Sequence, residues 1–157
     1  MVTLSVMFVE ANAYFAPALK ESPDGFSPAT RNLIEMGGRI SATSYAEARR
    51  QLDLTRHAIR QSFADIDLII TPTTPDLPET IEASHAPQQR RGPPLSARNT
   101  TPFNIYGLPT ISVCCGFSKS GLPIGLQISG PPFGEATVLA LASAYQRRTD
   151  WHLRAPL

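Results

Sequence analysis

The residue types able to attack a carbonyl are present in this chain, and their surroundings decide whether they can work. Nucleophilic hydrolysis needs a serine or cysteine, a base beside it and donors for the oxyanion. No Gly-x-Ser-x-Gly elbow occurs, and the residues three before Lys20 and Lys119 are Pro17 and Gly116, so there is no Ser-x-x-Lys. Ser118-Lys119-Ser120 brings hydroxyl and amine together, but on the predicted tip of a hairpin. An exposed lysine there stays protonated near neutral pH and cannot act as base, so these read as turn residues closed by Gly121. Cys114 and Cys115 offer a thiol, yet no histidine lies near in sequence; His57, His85 or His152 would have to arrive through the fold.

Other chemistries fare no better. Glu79, Glu82 and His85 have a metal-like spacing of three, but they sit in a proline-flanked stretch without a fourth ligand, and the reading is a solvated loop with no metal. Gly121, Gly125 and Gly130 do not make a Gly-x-Gly-x-x-Gly fingerprint, and Pro123 removes a backbone donor that a phosphate cradle would need. Arg90, Arg91 and Arg98 keep a loop wet or meet an anionic group. On physics alone the chain contains no self-sufficient active site.

The elements that would position such residues fall into three zones. The 157 residues carry a net charge of +1 and 15 prolines, which gives no reason to expect nucleic acid or an anionic membrane as partner. Two adjacent cysteines do not form a disulfide framework; they read as two free, buried thiols on opposite faces of a strand, in a reducing, cytoplasmic protein. The apolar opening Met1–Val9 lacks a basic lead and a cleavage site, and is read not as a signal peptide but as the start of an element joining a short helix, Ala11–Ala16, that Pro17 ends.

Further turns fall at Pro23–Pro28 and Gly37-Gly38. Tyr45, Ala48, Leu52, Thr55, Ile59, Phe63 and Ile66 mark one stripe of a long helix, with Ser44 and Glu47 as a capping box. Its arginines, Arg49, Arg50, Arg56 and Arg60, read as a solvated face.

Asp67–Ile70 predicts a buried strand covered on both faces, stopped by Thr71-Pro72. Residues 76–97 form a proline-rich irregular loop. Then come a short helix at Thr101–Tyr106, a strand at Thr110–Phe117, its hairpin partner at Pro123–Ser129 and an amphipathic helix at Glu135–Arg148. Helices flanking strands imply an α/β fold.

Several strings together resemble a family. Thr101-Pro102-Phe103-Asn104-Ile105-Tyr106-Gly107-Leu108-Pro109, then Ile111-Ser112-Val113, then Gly121-Leu122-Pro123-Ile124-Gly125-Leu126-Gln127-Ile128-Ser129-Gly130, are similar to the C-terminal part of amidase-signature enzymes. Asp67-Leu68-Ile69-Ile70-Thr71-Pro72-Thr73-Thr74-Pro75, Glu10-Ala11, Tyr45-Ala46-Glu47-Ala48 and the closing Glu135, Ala144-Tyr145 and Trp151-His152 fit the same pattern, in the same order. The likeness covers nearly the whole chain.

The resemblance implies a mixed β-sheet layered with helices, with residues 1–157 as a single partial domain, the C-terminal third of an amidase. It implies hydrolysis of carboxylic amide C–N bonds by a Ser–Ser–Lys triad whose lysine is neutral and buried, with no cofactor. That triad belongs to an N-terminal portion that is missing here, so no residue of this chain inherits a catalytic role. What carries over is supportive: Thr71, Thr73 and Thr74 near the rim of the substrate cavity, and the Arg98–Asn104 segment, with Arg98, Asn99 and Asn104, along its border. A small amide would bind only with the missing N-terminal part, and a second copy of the chain or a complementing chain is the protein partner expected. The same logic predicts exposed apolar surface.

Two departures stand out. Cys114 replaces a proline common after Ile-Ser-Val, restoring a backbone donor. Leu95, Ser96 and Ala97 lack the carboxylate that the tRNA-linked amidotransferase branch carries shortly before its Pro-x-Asn motif, which tilts the reading toward a general amidase. A non-catalytic interaction module or one half of a split enzyme, including a piece similar to the A subunit of an amidotransferase, is the alternative; a small cysteine enzyme lacks a base.

Overall fold

A computed structural model describes residues 2–85 and 97–155. The chain divides into two compact units, Met1–Ala58 and Ile59–Leu157.

The first unit is helical: α1 (Val2–Glu21), α2 (Pro28–Gly37) and α3 (Ala42–Ala58), with α1 packed on both others. Val6, Ile34, Ala48 and Leu52 are its buried apolar side chains. Gly37 lets α2 approach α1, because a Cβ there would run into the Phe8 carbonyl. Ser27 starts α2 by accepting the Thr30 amide at 3.2 Å, with Pro28 following it, and Gly38 ends the helix where the paired glycines predict.

The second unit is built on a sheet of β1 (Ile69–Pro72), β2 (Thr110–Phe117) and β3 (Pro123–Ser129), in order β1-β3-β2 and antiparallel throughout. The register places Gln127 between Thr71 and Ser112, and Ser129 between Ile69 and Thr110. Because successive residues point to opposite faces, the sheet sorts into two surfaces. Ile111, Val113, Leu126 and Ile128 share one, and α6 (Glu135–Arg148) lays Val138, Leu141, Ala142 and Tyr145 against it. Glu135 in the first turn of α6 and Arg147 and Arg148 in its last complement the helix dipole. The short helices α4 (Ile81–His85) and α5 (Thr101–Tyr106) precede the hairpin, and 3₁₀ turns occupy Ile59–Phe63 and Trp151–Leu153.

The elements from Thr101 to Arg148 match the sequence reading, as does the layering of helix on strand. Elsewhere the structure corrects it. Pro17 does not end a helix; α1 runs through it to Glu21. Residues Ala13–Ala18 are solvent-exposed, so water can serve the carbonyl that proline leaves unbonded. Ser44 does not cap α3. Ser41 does, accepting the Ser44 amide at 3.1 Å, while Glu47 turns outward to Arg50 and Gln51. The helix predicted to reach Ile66 stops at Ala58, and Ile66 is 46% exposed.

Asp67–Ile70 is not a strand covered on both faces. Among the described residues β1 pairs only with β3; it alternates half-buried with exposed and leaves Ile70 54% exposed. An apolar run shows hydrophobicity but not how many neighbours a strand will find. Within the irregular 76–97 stretch, Ile81–His85 forms a helical turn that Thr80 begins by accepting the Ala83 amide. Residues 86–96 lie outside the described residues, and with them Arg90 and Arg91. Cys114 and Cys115 are free, but half-buried rather than buried, and a bulge at Cys115 breaks the expected alternation.

Candidate functional site

Apart from Ile69, which the register sets beside Ser129, the surface of the sheet opposite α6 is lined mostly by polar residues. Strand alternation brings Thr71 of β1, Thr110 and Ser112 of β2, and Gln127 and Ser129 of β3 onto it, with Gly125 between them and Thr73 one step beyond β1. Gln127 is the centre. The residue is 2% exposed, and its Nε2 donates to Thr71 Oγ1 at 3.0 Å and to the Asn99 carbonyl at 3.1 Å. Asn99 answers through its own amide, donating Nδ2 to the Pro72 carbonyl at 2.9 Å. Two carboxamides thus tie the end of β1, the middle of β3 and the segment entering α5 into one reciprocal clamp.

Next to the clamp, the Thr73 and Ser112 hydroxyls are 2.6 Å apart, and the Thr73 amide donates to the Gly125 carbonyl at 2.8 Å. Glycine is required there by space: a Cβ on residue 125 would stand 2.5 Å from Thr73 Oγ1 and 2.7 Å from Ser112 Oγ. At the opposite end Thr110 donates its hydroxyl to Ser129 at 2.9 Å, and Ser129 is fully buried. Among the described residues no buried side-chain nitrogen or oxygen lacks a partner.

Of the six residues expected at a substrate rim, Thr71, Thr73 and Asn99 converge on this surface. Thr74 turns aside to the Asp76 carbonyl at 2.9 Å. Arg98 and Asn104 are exposed, on the turn before α5 and on α5 itself, and make none of the hydrogen bonds of the clamp. Gln127, Ser112 and Ser129 enter the sequence reading only as parts of a motif, and Gly125 also as a member of a glycine set that fails as a phosphate cradle. The signal that could have found them is period-two alternation along Pro123–Ser129 and Thr110–Phe117, read for its polar half.

This surface can accept and donate hydrogen bonds but cannot move a proton. Every partner just described is a hydroxyl, a carboxamide or a peptide group, and none titrates near neutral pH. The thiols are poorly placed too, since burial and the neighbouring Cys114 push the Cys115 thiol above its ordinary value. Ser118 and Ser120 are spent on the hairpin turn: their hydroxyls are 2.9 Å apart, and Ser118 Oγ accepts the Leu122 amide at 3.1 Å. Among the described residues no group of three or more His, Cys, Asp or Glu is gathered as a metal would require. A shallow hollow of about 200 Å³ beside the hairpin turn is lined by Phe117, Gly121, Arg154 and Ala155. Its one charge, Arg154, is already bound to Asp150 at 2.7 Å and stacked 4.4 Å from the Trp151 ring.

Residues 11–139 match the family model Amidase. The chain belongs to the amidase family. It is 35% identical to an amidase from Pseudomonas putida across 99% of its own length, which is 34% of that protein. It is 40% identical to the A subunit of a glutamyl-tRNA(Gln) amidotransferase from Chloroflexus aggregans, over 84% of this chain and 28% of the other. A crystal structure of an amidase superposes on 94% of the chain with a TM-score of 0.81 at 26% identity, using 34% of its own length. The fold is shared as well with a protein from a vestigial complex bearing on the origins of an s-triazine catabolic enzyme, with a TM-score of 0.83. The chain therefore spans about a third of the relatives it matches, as the motif resemblance implies. Among the described residues no helix is long and apolar enough to cross a membrane.

Proposed function

We propose that this chain is the C-terminal portion of an amide hydrolase, supplying one wall of an amide-binding cavity whose Ser–Ser–Lys set lies on other polypeptide. In this reading Thr71, Thr73, Thr74, Arg98, Asn99 and Asn104 border the cavity, and the protein works in the cytoplasm. One observation carries the reading. A chain spanning about a third of its amidase relatives presents a sheet surface of ordered hydroxyls and carboxamides with no proton acceptor among them. Such a surface suits the recognition of a neutral amide, whose carbonyl and N–H need donors and acceptors rather than charge.

The experiment is hydrolysis of acetamide and benzamide by the purified chain, alone and then mixed with the N-terminal two-thirds of an amidase relative. No turnover above buffer is expected alone, and turnover is expected in the mixture. Turnover by the chain alone refutes the reading.

A second reading has its own support in the 40% identity to the A subunit of an amidotransferase: the chain is a non-catalytic or split component that docks on further proteins. Activity that appears only when the other components of such a complex join the mixture would favour it over a general amidase.

A further inference from the structure

Cys114 and Cys115 are the only cysteines of the chain, and neither takes part in the hydrogen bonds that join Thr71, Asn99 and Gln127 or Thr73 and Ser112. Their setting is unusual for a strand. Cys114 lies opposite Gly125 and Gly116 opposite Ile124, so Cys115 is the extra residue of a bulge. A bulge sets two successive residues against one partner and bends the strand, which undoes the opposite pointing of neighbours in a regular ladder. Cys114 Sγ lies 3.5 Å from the Gly116 carbonyl, so this thiol reaches forward along the chain past Cys115. Gly116 adds room: a Cβ there would meet nothing within 4 Å. Both cysteines are free and only partly buried.

Two cysteines on adjacent residues invite a disulfide, but the backbone opposes one. Adjacent Cα atoms across a trans peptide are about 3.8 Å apart, shorter than the roughly 4.4 Å at which disulfide geometry begins. A bridging atom bonded to both sulfurs enlarges the ring and lifts that constraint. Soft sulfur ligands select soft centres.

We propose that the Cys114–Cys115 bulge is a two-sulfur binding site for one trivalent arsenical. With a monosubstituted arsenic oxide, two S–H bonds break and two As–S bonds form. The arsenic-bound oxygen leaves as water with both thiol protons. Arsenic stays trivalent, so no oxidant or reductant is needed. The first As–S bond holds the second thiol at high effective concentration, which makes a paired adduct about a hundredfold or more harder to displace than a single one.

The test uses the full chain and phenylarsine oxide, read by intact mass. One phenylarsenic group per chain is expected, retained in excess 2-mercaptoethanol and released by the dithiol 2,3-dimercaptopropanol. Cys114→Ser and Cys115→Ser should each lose the monothiol-resistant adduct. Emission of Trp151, the chain's one tryptophan, checks that the variants fold, because its ring sits 6.4 Å from that of Phe117, two residues past the bulge. Where a serine variant fails that check, alanine at the same position replaces it. An adduct that survives 2-mercaptoethanol in either single variant overturns the proposal, as does the lack of any resistant adduct on the unaltered chain.

Discussion

On β3, Ile128 and Gln127 are consecutive and equally hidden, at 0% and 2% exposure, yet they face opposite ways and are held by different forces. Ile128 sits among Val113, Val138 and Ala142, where removal of apolar surface from water is the gain. Gln127 sits among hydrogen-bond partners, where burial costs free energy unless each polar group is matched. The first arrangement tolerates apolar side chains of the right volume. The second demands particular atoms at particular places. One surface of the sheet holds the unit together, and the other specifies what can lie against it.

The largest test of this contrast is Ile128→Ala. Truncating a fully buried isoleucine should cost about 3–4 kcal/mol, read by denaturant unfolding of the chain. A loss no greater than a surface substitution produces would mean that α6 and the sheet do not depend on this contact.

Next is Gln127→Met, which keeps the length and removes the donors. It leaves Thr71 Oγ1 and the Asn99 carbonyl without the amide, at a cost of about 1–3 kcal/mol. The contrast makes a sharper claim about place: amide hydrogen exchange should quicken in Thr71–Thr73 and Asn99–Asn104, while α6 stays as protected as before. Equal loosening on both surfaces would erase the distinction.

The smallest effect lies on the surface of the helical unit. Arg50 and Gln51 beside Glu47 hold its carboxyl down to about 2, below the ordinary 4.5. A depressed value means the stabilisation is present above the unfolded value and is lost as pH falls from about 4.5 toward 2. Glu47→Gln should flatten that part of the pH dependence of helix content by circular dichroism and change little at neutral pH, because the exposed pair is screened by water. A marked loss of helix at neutral pH would show that this ion pair matters more than its exposure allows.

Legibility followed the range of the forces involved. The hairpin strands and α6 could be read because β-branched alternation and a helical stripe are local patterns, and residues 101–148 obey them. Pro17 misled because the penalty of a proline in a helix depends on whether its lost bond can be met by water, which is a question of exposure. The cap of α3 misled because Ser41 and Ser44 are both chemically able, and only the path of the chain chose between them. At the site, Thr71, Thr73 and Asn99 were reached by resemblance. Gln127, which joins two of them, carries only the period-two alternation that it shares with the other polar residues on its face of β3.

Residue order was therefore enough to determine the family, the period of most elements, and the scarcity of any paired nucleophile and base. Those properties depend on neighbours a few positions apart, where covalent geometry does the sorting. Only the tertiary structure decided that residues 71, 99 and 127 meet, that β1 is an edge, and that Cys115 is squeezed out of its ladder. Each of these rests on strand register, and register is set by long-range packing of one apolar surface against α6, which no short window of sequence contains.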